Sequence, residues 1–249
     1  MKELNLSQLW YWFLLMAVVC YLIGSINFAT VVSKIKRHDI RKEGSGNPGT
    51  MNMFRTFGWK IGLITFLLDA FKGGIPAVIS YVVFRNCCFA GTEVLIGDFT
   101  RYFCGVCVIL GHIFPCFMHF KGGKGIASTL GLFWLCMGCE ELWFFPIGFF
   151  ALILVVVYIK FTNWGSMGSL IGVTGFSVWQ AVIFYLRYKN CIQNGYVITL
   201  FALLLLLNVL TWVAHRQNIR RLLAGEEHRT AAKKKKVKKD EKDVAKANT

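Results

Sequence analysis

Two glycine-rich segments contain the residue types that bind phosphate groups in proteins. The first is GSGNPGTMNMFRTFG, residues 44–58. Its glycines allow backbone amides to approach a ligand closely, while Asn47 and Asn52 add neutral donors and Arg55 can bind two oxygens at once. A loop selected only for flexibility would not need so many polar donors. We therefore assign phosphate binding in this segment to Ser45, Gly46, Gly49, Thr50 and Arg55.

The second segment is GHIFPCFMHFKGGKGIAS, residues 111–128. Pro115 is expected to end a helix that contains His112, and the KGGKG run then leads into a new helix. Two lysines on a glycine turn before a helix N-terminus combine positive charge, free N–H groups and the helix dipole. The alternative is that these lysines only anchor the chain at a membrane surface. The intervening glycines favour an anion site formed by Lys121, Gly122, Gly123, Lys124 and Gly125.

A third segment, KFTNWGSMGS at residues 160–169, supplies a single cation, Lys160, together with hydroxyl and amide side chains. Taken alone, it fits a connecting loop as well as a binding site. We include Lys160 as a candidate phosphate ligand and Ser166 as a candidate catalytic residue.

A fourth segment is HRQNIRRLLAGEEHR, residues 215–229. His215 and Asn218 are three positions apart and share one face of a helix, and we expect this face to point into the protein. Arg220 and Arg221 fit a different role, as anchors to lipid headgroups.

Two charged residues lie inside a long apolar run. Asp69 and Lys72 are also three positions apart, and charges within a membrane are costly unless they are paired or functional. We expect them to pair with each other and to stabilise the helix bundle, with a part in the reaction as the alternative.

These segments must be positioned by membrane helices. The chain of 249 residues is 55% apolar and 15% aromatic, and its apolar residues are concentrated in long runs separated by charged gaps. Most of the runs exceed the roughly 17 residues that a helix needs to cross a bilayer. The fourth run is short and flanked by glycines. The runs predict an all-α integral membrane protein with seven transmembrane helices at residues 8–33, 61–84, 99–117, 126–138, 142–159, 166–186 and 196–214.

The distribution of basic residues predicts the orientation of these helices, because basic residues accumulate on the cytoplasmic side. With the N-terminus outside and the C-terminus inside, the inner segments carry most of the lysines and arginines before the tail. The outer segments then carry only Lys2, Arg85, Arg101, Arg187 and Lys189. This topology places all four polar segments on the cytoplasmic face.

The net charge of +15 does not indicate nucleic-acid binding, because much of it lies in the last residues, KKKKVKKDEKDVAKANT. A solvated tail beside anionic lipid is the simpler interpretation. We therefore predict a membrane domain at residues 1–228 and a basic, disordered cytoplasmic tail at residues 229–249. The C-x-x-C pairs Cys104/Cys107 and Cys136/Cys139 fall within apolar runs and are expected to be buried hydrophobes, so we predict no metal and no cofactor.

The first two segments and the last resemble the signatures of the bacterial acyl-phosphate:glycerol-3-phosphate acyltransferase family (PlsY type). That family has the patterns G-S-G-N-x-G-A-T-N-x-x-R-T-x-G, G-H-x-F-P-x-F-x-x-F-K-G-G-K-G-x-A-T and H-R-x-N-I-x-R-L-x-x-G-x-E. The resemblance extends over nearly the whole chain before the basic tail. Two departures occur: Thr50-Met51 replaces Ala-Thr, and Lys160 replaces the arginine of R-x-x-S-L-G-S. An arginine and a lysine bind phosphate differently, as a planar fork and as a point charge.

The resemblance implies a multi-pass enzyme of a bacterial plasma membrane. It implies transfer of a fatty acyl group from acyl phosphate to the 1-hydroxyl of glycerol 3-phosphate, which gives lysophosphatidic acid in the first acylation of phospholipid synthesis. The implied partners are these two substrates and membrane lipid. The residues agree with this chemistry, because cationic glycine loops suit two phosphates and the helices suit an acyl chain.

The candidate catalytic residues have neutral polar or imidazole side chains. The sequence has no evident Ser–His–Asp arrangement, so direct attack by the glycerol hydroxyl is expected rather than an acyl-enzyme. Asn47, Asn52, Ser166 and Asn218 are candidates for orienting the reacting groups or stabilising the oxyanion. The base could be His112 or His215, or the acyl phosphate could itself take the proton.

Two other classes of function are alternatives for a membrane protein with basic loops on one face. An organophosphate or anion transporter would need polar residues near the middle of the membrane, where Asp69 and Lys72 are the clear candidates. A metal-dependent phosphotransferase would need an acidic metal cluster. The compact acidic pairs are Glu140/Glu141, predicted to lie outside, and Glu226/Glu227.

Overall fold

The structure, a computed structural model, describes residues 1–227 as a bundle of α-helices. The predicted basic tail lies outside the described residues. Ten α-helices occur among residues 1–227: α1 (Leu6–Ser25), α2 (Phe28–Ile35), α3 (Thr50–Phe57), α4 (Trp59–Phe84), α5 (Ile96–Ile113), α6 (Ile126–Glu140), α7 (Phe144–Thr162), α8 (Gly165–Tyr188), α9 (Gly195–Ala214) and α10 (Arg216–Leu223). Two short strands, β1 (Lys2–Leu4) and β2 (Cys87–Phe89), pair in parallel.

The predicted apolar runs correspond to helices whose ends differ from the predicted ends by a few residues. Among residues 1–227, six helical segments are long and apolar enough to cross a membrane. The prediction of an all-helical membrane protein is therefore confirmed. The first run is not the single helix that we expected, because the chain breaks at Ile26 and Asn27. The side chain of Asn27 caps α2 by accepting from the Thr30 N–H at 2.9 Å.

The fourth predicted run forms α6, which has 15 residues. At roughly 1.5 Å per residue it is about 22 Å long, less than the ~30 Å hydrocarbon core of a bilayer. Its sequence from Ala127 to Met137 is almost entirely buried against α4, α5, α7 and α8. A helix that is surrounded by other helices does not need to match the bilayer thickness with its own side chains.

Glycines allow the central helices to pack with their backbones in contact. A Cβ on Gly73 of α4 would lie 2.0 Å from the Ser128 carbonyl oxygen of α6, and one on Gly131 would lie 2.2 Å from the Ala70 carbonyl oxygen. Small residues are the usual means of close helix packing in a membrane, where association gains little from the hydrophobic effect. The α4–α6 contact therefore depends on these glycines.

The helices define two ends of the bundle. The glycine-loop end contains residues 44–49 and 121–125, and the opposite end contains residues 85–95 and 140–143. At the opposite end, β1 pairs with β2, with Lys2 opposite Cys87 and Leu4 opposite Phe89. This pairing attaches the N-terminal residues to the connection between α4 and α5.

A buried ionic network lies toward the opposite end. Arg101 is fully buried and donates to Asp98 at 2.7 Å and to Glu140. Arg187 donates to the same two carboxylates. Arg101, Arg187 and Glu140 belong to segments that the sequence predicts to lie outside, and the structure buries the side chains of Arg101 and Glu140 within the bundle. The buried Arg101 and the partly exposed Arg187 balance the two carboxylates, so the network has no net charge. Pairing of this kind offsets the cost of placing ions in a low-dielectric interior.

Candidate active site

Three of the four polar segments meet at Asn218 of α10. Its side chain is buried, and its Oδ1 accepts a hydrogen bond from Nζ of Lys124. Its Nδ2 donates to Oγ of Ser166 at 2.8 Å and to Oε1 of Glu227 at 2.7 Å. One amide thus connects the KGGKG turn, the first turn of α8 and the segment after α10. These are side chains that we had expected to share one face of the protein.

Glu227 is a residue of this cluster that we did not predict. Its side chain is only 4% exposed, and it accepts from Ser166, from Asn218 and from Nε of Arg221 at 3.1 Å. Burial raises the pKa of Glu227, but the hydrogen bonds from these three donors outweigh it and hold the pKa below its ordinary value. The final glutamate of the pattern H-R-x-N-I-x-R-L-x-x-G-x-E was the signal that could have identified it.

Positive charge is concentrated around this carboxylate. Burial lowers the pKa of Lys124 to about 8, and the charge of Glu227 opposes that shift, while the nearby charges of Arg221 and Arg55 add to it. Burial also lowers the pKa of Arg55 in α3, and the charge of Glu227 offsets only part of this shift. Three cations therefore surround one carboxylate, which leaves an excess of positive charge that can bind a phosphate.

His215 lies at the C-terminal end of α9 and is 3% exposed. Burial and the charge of Lys124 lower its pKa to about 4, so the ring is neutral at pH 7. Its Nδ1 lies 2.8 Å from the Thr211 carbonyl oxygen. Because a carbonyl can only accept, the hydrogen must be on Nδ1. This tautomer leaves the lone pair on Nε2 able to take a proton.

The glycine loop at residues 44–49 is held by Asn52 of α3. The buried Asn52 Nδ2 donates to the carbonyl oxygens of Ile40 at 3.2 Å and Glu43 at 2.9 Å, and its Oδ1 accepts from the Ser45 N–H at 3.0 Å. A Cβ on Gly44, which has a φ of +57°, would lie 2.2 Å from that Oδ1. The amide of Asn52 thus organises the loop, and its part in orienting the reacting groups stays a prediction.

The KGGKG turn folds back over the end of α5. The Gly122 N–H donates to the Ile113 carbonyl oxygen and the Gly123 N–H to that of His112, both at 3.1 Å. A Cβ on Gly123 would lie 2.3 Å from Nε2 of His112, so only glycine fits beside the ring. The turn directs its two lysines differently, because Lys124 contacts Asn218 whereas Lys121 is exposed.

The remaining candidates lie outside the hydrogen-bonded cluster formed by Lys124, Ser166, Asn218, Arg221 and Glu227. His112 is buried, and its Nδ1 is 3.8 Å from Oδ1 of Asp69. Lys160, in the last turn of α7, is exposed. Thr50 is the first residue of α3, and Gly125 immediately precedes α6. Four other candidates lie in the loop before α3, namely Ser45, Gly46, Asn47 and Gly49. Within residues 1–227, no group of three or more His, Cys, Asp or Glu side chains could hold a metal ion.

The sequence model of the family described as Glycerol-3-phosphate acyltransferase matches residues 14–225. The chain belongs to this family. Its relatives include the glycerol-3-phosphate acyltransferase of Aquifex aeolicus, 33% identical over 87% of this chain and 98% of the relative. Another is glycerol-3-phosphate acyltransferase 2 of Thermotoga maritima, 37% identical over 86% of this chain and 95% of the relative.

Members of this acyltransferase family also have solved structures similar to this chain. A crystal structure of PlsY (YgiH), an integral membrane glycerol 3-phosphate acyltransferase, in its glycerol 3-phosphate form has a TM-score of 0.68 and 30% identity. The match covers 87% of this chain and 94% of that one. The lysophosphatidic acid form has a TM-score of 0.66.

Proposed function

We propose that this acyltransferase transfers a fatty acyl group from acyl phosphate to the 1-hydroxyl of glycerol 3-phosphate, releasing lysophosphatidic acid and inorganic phosphate. One observation carries this proposal: Lys124, Arg55 and Arg221 surround a buried cluster of neutral donors at one end of an apolar helix bundle. Both substrates carry a phosphate, and the acyl chain suits the lipid-facing helices. The family and its structural neighbours support the acceptor and the product.

The reaction needs one bond to form and one to break. The hydroxyl oxygen of glycerol 3-phosphate bonds to the acyl carbonyl carbon, and the bond from that carbon to the phosphate oxygen breaks, with its electron pair leaving on phosphate. Lys124 and Arg55 would neutralise the phosphates, and Ser166 and Asn218 would orient the reacting groups. Of the two histidines, His215 is the one beside Lys124, so it can take the hydroxyl proton, with the departing phosphate as the alternative acceptor.

An assay with two acyl donors that differ in their leaving groups tests whether the enzyme uses acyl phosphate or acyl-CoA. Acyl phosphate leaves as a compact anion that suits short cationic loops, whereas acyl-CoA carries a long nucleotide tail. Purified protein would receive radiolabelled glycerol 3-phosphate with palmitoyl phosphate or palmitoyl-CoA, each with and without EDTA. We expect transfer from palmitoyl phosphate that EDTA does not abolish. Transfer from palmitoyl-CoA alone would contradict the donor, and loss in EDTA with recovery in magnesium would contradict the metal-free reaction.

We further propose seven crossings in a bacterial plasma membrane, with the N-terminus outside and the glycine-loop end in the cytoplasm. Counting α6 as the seventh crossing brings every polar segment to one side, in agreement with the contacts at Asn218. The test is labelling of intact cells with an impermeant thiol reagent, after replacement of Cys87, Cys116 and Cys191 by serine. A cysteine at the exposed Asn190 should react and one at the exposed Ser45 should not. Labelling at Ser45 alone would reverse the orientation.

The surroundings of Asp69 and Lys72, the charges near the middle of the membrane, argue against a transporter. Lys72 is bound by Asp69 and by two backbone carbonyl oxygens, so its charge is not available to a passing anion. Uptake of glycerol 3-phosphate into sealed vesicles without an acyl donor tests this alternative, and we expect none.

A further inference from the structure

Lys72 of α4 is a buried cation with one ion-pair partner and two hydrogen-bonding partners. Its Nζ lies 2.9 Å from Oδ1 of Asp69, donates to the Ile26 carbonyl oxygen at 2.6 Å and to that of Gly24 at 3.2 Å. Two of the three hydrogens of the ammonium group are therefore donated to backbone carbonyls. The expected Asp69–Lys72 pair is confirmed, but the pair also has two backbone partners on another helix.

Those two carbonyls belong to the break between α1 and α2. The last carbonyls of a helix have no partner within it and carry partial negative charge. The Thr30 N–H, which would continue a helix from Ile26, bonds instead to the side chain of Asn27. Lys72 therefore caps the end of α1 from a different helix and holds the peptide units on either side of the break.

The break in turn holds the first phosphate-binding loop. Nδ2 of Asn27 donates to the Pro48 carbonyl oxygen at 3.0 Å, and Asn27 is itself 4% exposed. Pro48 lies between Asn47 and Gly49, immediately before α3. A shift of the break would therefore move the loop that carries Asn47 and precedes Arg55.

The same pair approaches the second phosphate-binding loop through His112. Nδ1 of His112 is 3.8 Å from Oδ1 of Asp69, and its Nε2 lies against Gly123. The His112 carbonyl oxygen also accepts from the Gly123 N–H at 3.1 Å. Gly123 immediately precedes Lys124, so a displaced imidazole would displace the lysine of the cationic cluster.

We propose that Asp69 and Lys72 are positioning residues that set the spacing of the two phosphate-binding loops, residues 44–49 and 121–125. The pair acts on acyl transfer by placing the loops, and it does not touch substrate. This inference rests on the proposed function for its kinetic consequence only. Its structural consequence, that both loops loosen together when the pair is removed, does not depend on the reaction.

The test separates positioning from simple stabilisation. Removing one partner leaves an unpaired buried charge, whereas replacing both with apolar residues is often tolerated. We therefore expect Asp69→Leu or Lys72→Met alone to lower thermal stability strongly, and the double variant to recover it. The double variant still lacks the donors to Gly24 and Ile26. We expect its kcat/KM to remain about 100-fold low, the loss that misplacing groups by about 1 Å can cause.

Hydrogen–deuterium exchange provides the second readout. In the double variant, peptides that cover 44–49 and 121–125 should exchange faster than in the wild type, while the peptide that contains Phe89, whose N–H bonds to the Val94 carbonyl oxygen, should not change. Arg187→Gln is the matched control, because it removes an ion pair with the buried Asp98 toward the opposite end. It should lower stability without changing exchange of either loop.

Asn27→Ala gives an independent variant without any change of charge. It removes the bond to Pro48, so residues 44–49 should exchange faster while residues 121–125 stay as in the wild type. Unchanged exchange of residues 44–49 in Asn27→Ala, or wild-type exchange and kinetics in a stable double variant, would overturn the positioning role. If the wild type transferred no acyl group, the proposed function would fail, and the exchange result would still decide this inference.

Discussion

Nζ of Lys124 donates a hydrogen bond to Oδ1 of Asn218, a residue 94 positions further along the chain. The same amide donates to Ser166 and to Glu227. A neutral side chain that accepts from a cation and donates to a hydroxyl and a carboxylate fixes the relative positions of all three. The geometry of the candidate active site therefore depends on Asn218 more than on any one of its charged neighbours.

Replacing Asn218 with alanine should lower kcat/KM for glycerol 3-phosphate strongly. The change removes the acceptor of the Lys124 hydrogen bond and the amide that donates to Ser166 and Glu227. Loss of a hydrogen bond to a charged group costs about 2 kcal/mol, or roughly 30-fold. Steady-state kinetics with palmitoyl phosphate would measure the loss. Gln217→Ala, at the exposed neighbouring position on α10, is the control and should retain wild-type kinetics. Equal activity of both variants would show that Asn218 does not organise the site.

The pKa of Lys124, about 8, predicts a decline of activity in alkaline solution. The ammonium is charged below its pKa and neutral above it, so phosphate binding that needs the charge should weaken as the pH rises through 8. Lys124→Arg keeps its charge over this range and should move the decline to higher pH, although with a lower maximum because the guanidinium is larger. A pH profile of kcat/KM for both proteins checks this, and identical alkaline limbs would contradict it.

Glu227→Gln should shift that alkaline decline toward lower pH. The carboxylate of Glu227 raises the pKa of Lys124, so a neutral glutamine would let the pKa fall below 8. Glu226→Gln removes one charge at the exposed adjacent position and should leave the profile unchanged. The two variants have the same net charge, so a difference between them must come from position. A profile of Glu227→Gln that coincides with that of the wild type would place its carboxylate away from Lys124.

Arg55 and Lys121 should respond differently to replacement by glutamine. The sequence predicts a phosphate contact for both, but Arg55 lies among the charges of the cluster whereas Lys121 is exposed. We expect Arg55→Gln to cost about 1.5–3 kcal/mol in kcat/KM, as for a charge-assisted hydrogen bond, and Lys121→Gln to stay within about 0.5 kcal/mol. Equal losses would show that Lys121 also contacts a substrate phosphate. Wild-type kinetics for both variants would show that Arg55 and Lys121 are membrane anchors.

The sequence alone was sufficient to predict the positions of the membrane helices and to identify the four polar segments. Hydropathy is a sum over neighbouring residues, so an apolar run predicts a span without knowledge of its partners. The pairing of Asp69 with Lys72 also followed from local spacing, because residues three apart share a helix face. His215 and Asn218 are both buried, although His215 lies at the junction of α9 and α10 and not on a shared helix face.

What only the tertiary structure decided was which charged and polar side chains are buried together. Arg101 and Glu140 have the sequence character of surface residues, yet both side chains are buried because Arg101 of α5 pairs with Glu140 of α6. The glycine turn does not reveal that Lys124 enters the cluster while Lys121 remains outside. Nor do local patterns show that Asn52 binds its own loop or that Glu227 folds back onto Ser166. Each of these depends on contacts between distant segments, and the energy of a charge in a membrane protein is determined by those contacts.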